Sequence, residues 1–430
     1  MIKLPFRVSL IFLSLSSILV AASASAQTMY VRAGKLVDPM SATVRSDQLL
    51  LIKDGRIAAL GPYAPPPKGA VVTDWSAYTV LPGLIDMHTH MVDTEQSSNV
   101  AEPLLHSAAE IALLGAKHAK QTLHAGFTSV RDVGTFRAFG DVAVRDAIEA
   151  GWIEGPRMMV AGAYLTVPGG GGEVTGLAPD VTVPSNMRVG VVSGPAEMAV
   201  KARYLFQHRV DFLKLIATGA VLAAGTEPGA PELTEDEVRA AVEEARRNKS
   251  YATAHAHGAE GIKIALRAGV RSIEHASLID DEGIALAKAK GAWLVMDIYN
   301  GDYINQIGAR DKWPEEILRK NRDTTDLQRE GFTKAVKAGV KIAYGTDAGV
   351  YPHGDNAKQF AYMVRYGMSP MQAIQSATTV AADLMQRSGD VGSLSPGHYG
   401  DLIAVKGDPL KDITVLERVA HVMKGGEVVR

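Results

Sequence analysis

Leu81-Pro82-Gly83-Leu84-Ile85-Asp86-Met87-His88-Thr89-His90 is an apolar run that ends in two histidines one residue apart. Pro82-Gly83 marks a turn, and Leu84–His90 has the length and apolar content of a buried strand. On a strand, residues two apart point the same way and lie roughly 6.6–6.8 Å apart. His88 and His90 therefore leave the strand end on one face, where two imidazoles can clamp one metal ion. An H-x-H pair alone is a weak motif; its position at a strand end behind a Pro-Gly turn makes it specific. The competing reading is two polar histidines on an edge strand.

The same texture recurs downstream. Short apolar runs at Thr128–Asp132, Met158–Ala163, Asp211–Ala217, Tyr251–His255, Arg271–His275, Trp293–Asp297 and Lys341–Asp347 bring the predicted strands to eight. Amphipathic stretches lie between them: Ala108–His124, Thr234–Asn248, Gly258–Ala268 and Asp323–Ala338. Thr234 with Glu237 forms a capping box, and Ser369-Pro370 supplies a second helix start. Eightfold strand–helix alternation predicts an α/β chain, a (β/α)8 TIM barrel, with a doubly wound sheet as the alternative.

Both ends differ from the middle. Residues 27–82 and 390–430 read as short strands and turns, with Asp54-Gly55 a hairpin signal. They are expected to pair into one small β-sandwich domain flanking a barrel over 83–389. Residues 1–26 read as a secretory signal peptide: Lys3 and Arg7, an apolar stretch from Val8 to Ala22, then Ala24-Ser25-Ala26. The stretch is shorter than the roughly 20 residues a spanning helix needs. An exported protein, periplasmic or secreted, is expected, with no membrane association after removal of the signal.

Composition narrows the chemistry. The 430 residues contain no cysteine, so disulfides, thiolate metal sites and a cysteine nucleophile are excluded. A net charge of −2 argues against a nucleic-acid-binding surface. A homo-oligomer is compatible with a barrel of this size, but no interface stripe is evident. The remaining candidates sit at strand ends, where barrels place functional groups. His255 ends the fifth strand, His275 the sixth and Asp347 the eighth. With His88 and His90 they form a nitrogen and oxygen donor set suited to zinc or a similar divalent ion. His255 is preferred to His257 because His257-Gly258 reads as loop. Lys214 stands in the apolar fourth-strand pattern, where a buried amine is costly. It is either salt-bridged to a neighbouring carboxylate or converted by carbon dioxide into an anionic carbamate able to bridge two metals.

Leu81–His90, Lys214-Leu-Ile-Ala-Thr-Gly219, Ala254-His255-Ala-His257-Gly258 and Gly345-Thr-Asp347-Ala-Gly-Val350 together resemble the amidohydrolase superfamily. Within it they resemble the imidazolonepropionase-like branch, which includes binuclear Xaa-Pro and Xaa-Arg dipeptidases and ochratoxin-hydrolysing amidases. The resemblance implies that His88, His90 and Asp347 bind one divalent ion, that His255 and His275 bind a second, and that carboxylated Lys214 bridges them. It also implies a peptide or amide substrate attacked by activated water, with Asp347 as proton acceptor and donor. The chain departs from the branch in the loop after the third strand, Val167–Glu173, which lacks a histidine that several members carry there. No G-x-S-x-G motif offers a serine nucleophile.

His353 and Tyr351, just past Asp347, are expected substrate contacts. Tyr299 and Tyr303 are expected to pack or form the rim, and Arg131-Asp132 to form a structural ion pair. His106, His118 and His124 lie on a helical pattern as surface or packing residues. The leading reading is hydrolysis of dipeptides or N-acyl amino acids. A mononuclear deaminase or cyclic-amide hydrolase, and an exported metal- or solute-binding protein without turnover, are the alternatives.

Overall fold

The computed structural model describes residues 28–94 and 99–430. The expected signal peptide over 1–26 lies outside the described residues. Eight barrel strands are present: Leu84–Thr89, Phe127–Asp132, Arg157–Val160, Leu213–Ile216, Ala252–Gly258, Ser272–Leu278, Trp293–Val295 and Lys341–Ile342. They pair in parallel, and most are buried along their whole length, as expected for strands covered by helices.

The ladder runs as two sheets with two seams. At the first seam the third strand is split. Arg157–Val160 pairs with the second strand, while Tyr164–Leu165 pairs with the fourth. The bend falls at Gly162, whose φ of 77° suits glycine and strains other residues. At the second seam the eighth strand is regular only to Ile342, short of the expected Asp347. Single bonds continue the contact there: Met87 N donates to Tyr344 O, Asp347 N to His88 O and His90 N to Ala348 O, each at 2.8 Å. Asp347 itself has a left-handed backbone, φ 59°, which cannot continue a pleat.

Helix boundaries follow local chemistry. The helix Ala108–His124 has the expected limits, with a capping box at Ser107 and Glu110. Glu235–Arg247 starts where Thr234 Oγ1 accepts from Glu237 N at 3.3 Å and Glu237 Oε2 accepts from Thr234 N at 2.8 Å. Glu315–Ala338 begins earlier than the expected Asp323, directly after Pro314, a residue that fits a helix entry.

The two chain ends meet as expected. Their strands form one continuous seven-stranded sheet rather than two facing ones, with Leu402–Val405 paired to Val71–Pro82. Val31, Leu36, Leu50, Ile52, Leu402 and Met423 share its core. Each such fully buried side chain contributes roughly 1.5–3 kcal/mol. Val71–Pro82 leads straight into the first barrel strand, so this sheet anchors the strand that carries His88 and His90. Arg157 joins the two parts: it lies 3.2 Å from Asp401 and 3.5 Å over the Tyr399 ring.

Candidate metal centre

His88, His90, Lys214, His255, His275 and Asp347 all line one cavity of about 190 Å³ at the carboxyl ends of the barrel strands. Two groups of donor atoms each lie within 4.8 Å of one another: His88, His90 and Asp347, and His255, His257 and His275. His275 also groups with Asp297 and Asp347, and the His88 and His275 rings are 4.8 Å apart. The two groups therefore adjoin.

Four of the imidazoles, those of His88, His90, His257 and His275, are oriented by the nitrogen that faces away from the shared space. His88 Nδ1 lies 2.9 Å from Glu274 Oε2, and Arg131 Nη2 donates to the other Glu274 oxygen at 2.7 Å. His90 Nδ1 lies 2.9 Å from Gly134 O, so it carries the proton. His257 Nδ1 lies 2.7 Å from Ser277 Oγ and His275 Nδ1 lies 3.0 Å from Asp297 Oδ1. Partners of this kind set tautomer and ring direction in metal-binding histidines. They leave His88 Nε2 and His90 Nε2 facing Asp347 Oδ1, at 3.3 and 3.1 Å. His88 Nε2 is buried and has no hydrogen-bond partner among the described residues. Such an orphaned lone pair, beside a second imidazole and a carboxylate, fits a divalent cation.

The electrostatics agree. Burial, then Lys214, pushes His88 down, and burial with the neighbouring histidines pushes His255 far down and His257 to about 3. These three are neutral and able to donate lone pairs. Burial also opposes charge on His90, but Asp347, Asp93 and Asp132 outweigh it and raise His90 to about 9. A positive charge is thus favoured where an ion would sit. Burial raises Asp347, yet His88 and His90 outweigh it and hold it well below the usual carboxylate range. His275 and Asp347 both have left-handed backbones, φ 69° and 59°. Such conformations in non-glycine residues cost on the order of 1–3 kcal/mol and concentrate at functional sites.

Lys214 is buried, and burial lowers it to about 8 against the pull of Glu274 and Asp347. No carboxylate lies within ion-pair distance of its Nζ among the described residues, so the expected salt-bridge alternative is not realised. His257 is a correction to the sequence reading. The fifth strand runs through it to Gly258 and places it beside His255, with ring centroids 4.5 Å apart.

His353 and Tyr351 are a second correction, because neither lines the cavity. His353 lies behind the first strand, with Nε2 at 3.2 Å from His90 O and its ring stacked on His118 at 4.3 Å. Tyr351 is buried against Tyr299, ring centroids 4.9 Å apart. The Arg131-Asp132 ion pair is not formed either: Arg131 pairs with Glu274 instead. The loop after the third strand is pinned, with Gly171 N donating to Glu232 at 2.9 Å and Gly169 N to Glu173 at 2.7 Å.

Glu274, Asp297 and Asn300 were missed in the sequence. Asn300 Nδ2 donates to Asp297 Oδ2 at 2.8 Å and to Asp347 Oδ2 at 3.1 Å. The signal available for Glu274 was the one used for Lys214, a charge inside an apolar strand pattern.

This barrel, with convergent histidines and an aspartate at its strand ends, defines a class of metal-dependent hydrolases. The Amidohydrolase family profile matches residues 79–429. Ochratoxinase of Aspergillus niger is 30% identical over 443 residues, spanning 96% of this chain and 89% of its own length. The solved structure of a Xaa-Pro dipeptidase with methionine bound in its active site matches with a TM-score of 0.88 and 37% identity, covering 94% of this chain and 100% of that one. A prolidase complexed with N-methylphosphonate-L-proline matches with a TM-score of 0.87 and 28% identity, again over 94% and 100%. The chain belongs to the amidohydrolase family. It is a hydrolase acting on carbon–nitrogen bonds.

Proposed function

We propose that the chain is a binuclear metal-dependent amidohydrolase that cleaves the amide bond of dipeptides or N-acyl amino acids. The observation that carries this reading is Lys214: buried, without an ion-pair partner among the described residues, and lining one cavity with both donor groups. His88, His90 and Asp347 would hold one divalent ion, zinc by donor chemistry, and His255 and His275 the second, with His257 beside them. A carbamate on Lys214 would bridge the two. It forms when the neutral amine adds to carbon dioxide and loses a proton, and burial that lowers Lys214 to about 8 supplies neutral amine.

When bound, divalent ions in such a site supply Lewis acidity that polarises a carbonyl and acidifies water. Asp347, ionised and oriented by Asn300, accepts the proton of the attacking water and returns it to the leaving amine. Glu274 and Asp297 hold His88 and His275 in direction. The methionine and the prolyl phosphonate in the two related structures support a substrate that releases an amino acid.

Metal analysis of the purified protein tests the proposal. About two divalent ions per chain, with loss of activity in Lys214→Ala, is expected. One ion or none, with Lys214→Ala fully active, overturns it. We also propose export with loss of residues 1–26, which intact-mass analysis of the secreted protein checks by a start at Gln27.

A further inference from the structure

We infer that Arg137 anchors the carboxylate of the substrate and so selects amides of amino acids with a free carboxylate and an apolar side chain. This inference rests on the proposed hydrolase reading. Arg137 lines the same cavity as His88, His90 and Lys214. It follows Phe136, whose ring packs on Tyr164 at 5.4 Å, and Tyr164 packs on His90 at 5.9 Å. Phe136 and Tyr164 thus form a run of rings along the cavity wall between the backbone of Arg137 and His90.

The guanidinium is unsatisfied. Its Nε is buried with no partner among the described residues, and Nη2 only reaches Pro103 O at 3.5 Å. The carboxylates that share the cavity are all engaged elsewhere. Asp93 accepts from Thr135 at 2.7 Å and from Tyr164 at 3.0 Å. Glu102 faces His106 at 3.1 Å, and Glu173 pairs with Arg188 at 2.5 Å. Asp297 and Asp347 face the histidines.

An arginine stays charged at any working pH and presents a planar fork of donors that matches a carboxylate. Arg137 is partly exposed, and a carboxylate arriving with the substrate would pair with the accessible part of its guanidinium. Among the cavity's described side chains, Lys214 is the only other lysine or arginine, and it belongs to the donor groups, so the chemistry suits a singly charged carboxylate rather than a phosphate. One part of the lining is apolar: Val221, Leu222, Ile304, Ile317 and Val350 give an amino-acid side chain a greasy wall.

The test compares N-acetyl-L-leucine, N-acetyl-L-methionine and N-acetyl-L-phenylalanine with their carboxamides, on the metal-loaded wild type, Arg137→Met and Arg137→Lys. The wild type is expected to prefer the acids. Arg137→Met should lower kcat/KM for the acids about 10- to 100-fold, mostly through KM, and for the carboxamides far less. The acid-to-carboxamide ratio should collapse toward one, with partial recovery in Arg137→Lys. Because Arg137 is partly exposed, the variants should fold, which a thermal melt verifies. Equal losses on acids and carboxamides, or no preference in the wild type, overturn the role of Arg137 and leave the hydrolase reading intact. A wild type that cleaves neither series overturns both.

Discussion

His88 Nδ1 lies 2.9 Å from Glu274 Oε2, and both side chains are fully buried, so a carboxylate on the sixth strand aims an imidazole on the first. Glu274→Gln should weaken metal binding about 10- to 100-fold, the usual effect of losing an orienting carboxylate. Competition with a chromogenic chelator measures it. Affinity unchanged from wild type would count against this role.

Glu274 also links stability to pH. Burial opposes its charge, but Arg131 and His88 outweigh burial and hold it far below the usual range. A depressed carboxylate stabilises the fold above its unfolded value near 4.3 and loses that contribution as pH falls further. The melting temperature of the wild type should therefore drop below about pH 4. In Glu274→Gln the drop should be shallower, from a starting stability lower by roughly 3–5 kcal/mol, because Arg131 is left buried and unpaired. Thermal melts across pH 3–7 decide it.

Lys214 predicts a pH-dependent activation. Neutral amine, the form that adds to carbon dioxide, grows as pH rises through about 8. After metal removal, activity regained at fixed dissolved carbon dioxide should speed up about tenfold per unit below that value and level off above it. A rate flat with pH, or indifferent to carbon dioxide, would refute a carbamate. The amine costs stability wherever it is charged in the fold, so the metal-free protein should gain stability as pH rises from about 8 toward 10, and Lys214→Met should abolish that gain.

Gly345 lets three strands converge behind the site. A Cβ there would lie 2.2 Å from Val295 Cγ1 and 3.0 Å from His88 Cβ. Gly345→Ala should cost about 1–3 kcal/mol by overpacking and lower metal affinity through His88. Adding Val295→Ala removes the closest clash, so the double variant should recover part of the loss. A strictly additive cycle in urea melts would show that the two sites are not coupled.

Asp347→Asn keeps an oxygen for a metal but removes the proton acceptor. Activity should fall about 10²- to 10⁴-fold with metal content retained. Retained turnover would assign the proton transfer to another group.

Much of the site was legible because strand periodicity is local. His88, His90, Lys214, His255, His275 and Asp347 each end or occupy an apolar run, and each reaches the cavity. What misled the reading was equally physical. His257-Gly258 reads as loop because of its glycine, yet pairing with the sixth strand carries the ladder through to Gly258. His353 and Tyr351 are close to Asp347 in sequence, which alone places them near the site. The chain instead turns away after Asp347, burying His353 behind the first strand and Tyr351 against Tyr299.

The sequence by itself determined that eight strands form, where the helix capped by Thr234 begins, and that histidines stand at the strand ends. Apolar runs, capping boxes and two-residue spacing act over a few positions and need no partner from afar. Only the tertiary structure decided which groups orient those histidines, and that Lys214 and Arg137 meet no carboxylate within ion-pair distance among the described residues. Glu274 is 186 residues from His88 in the chain, and Arg131 is 143 from Glu274. Such pairs form because burial makes an uncompensated charge costly, and the partner that satisfies it is whichever one barrel closure brings within reach.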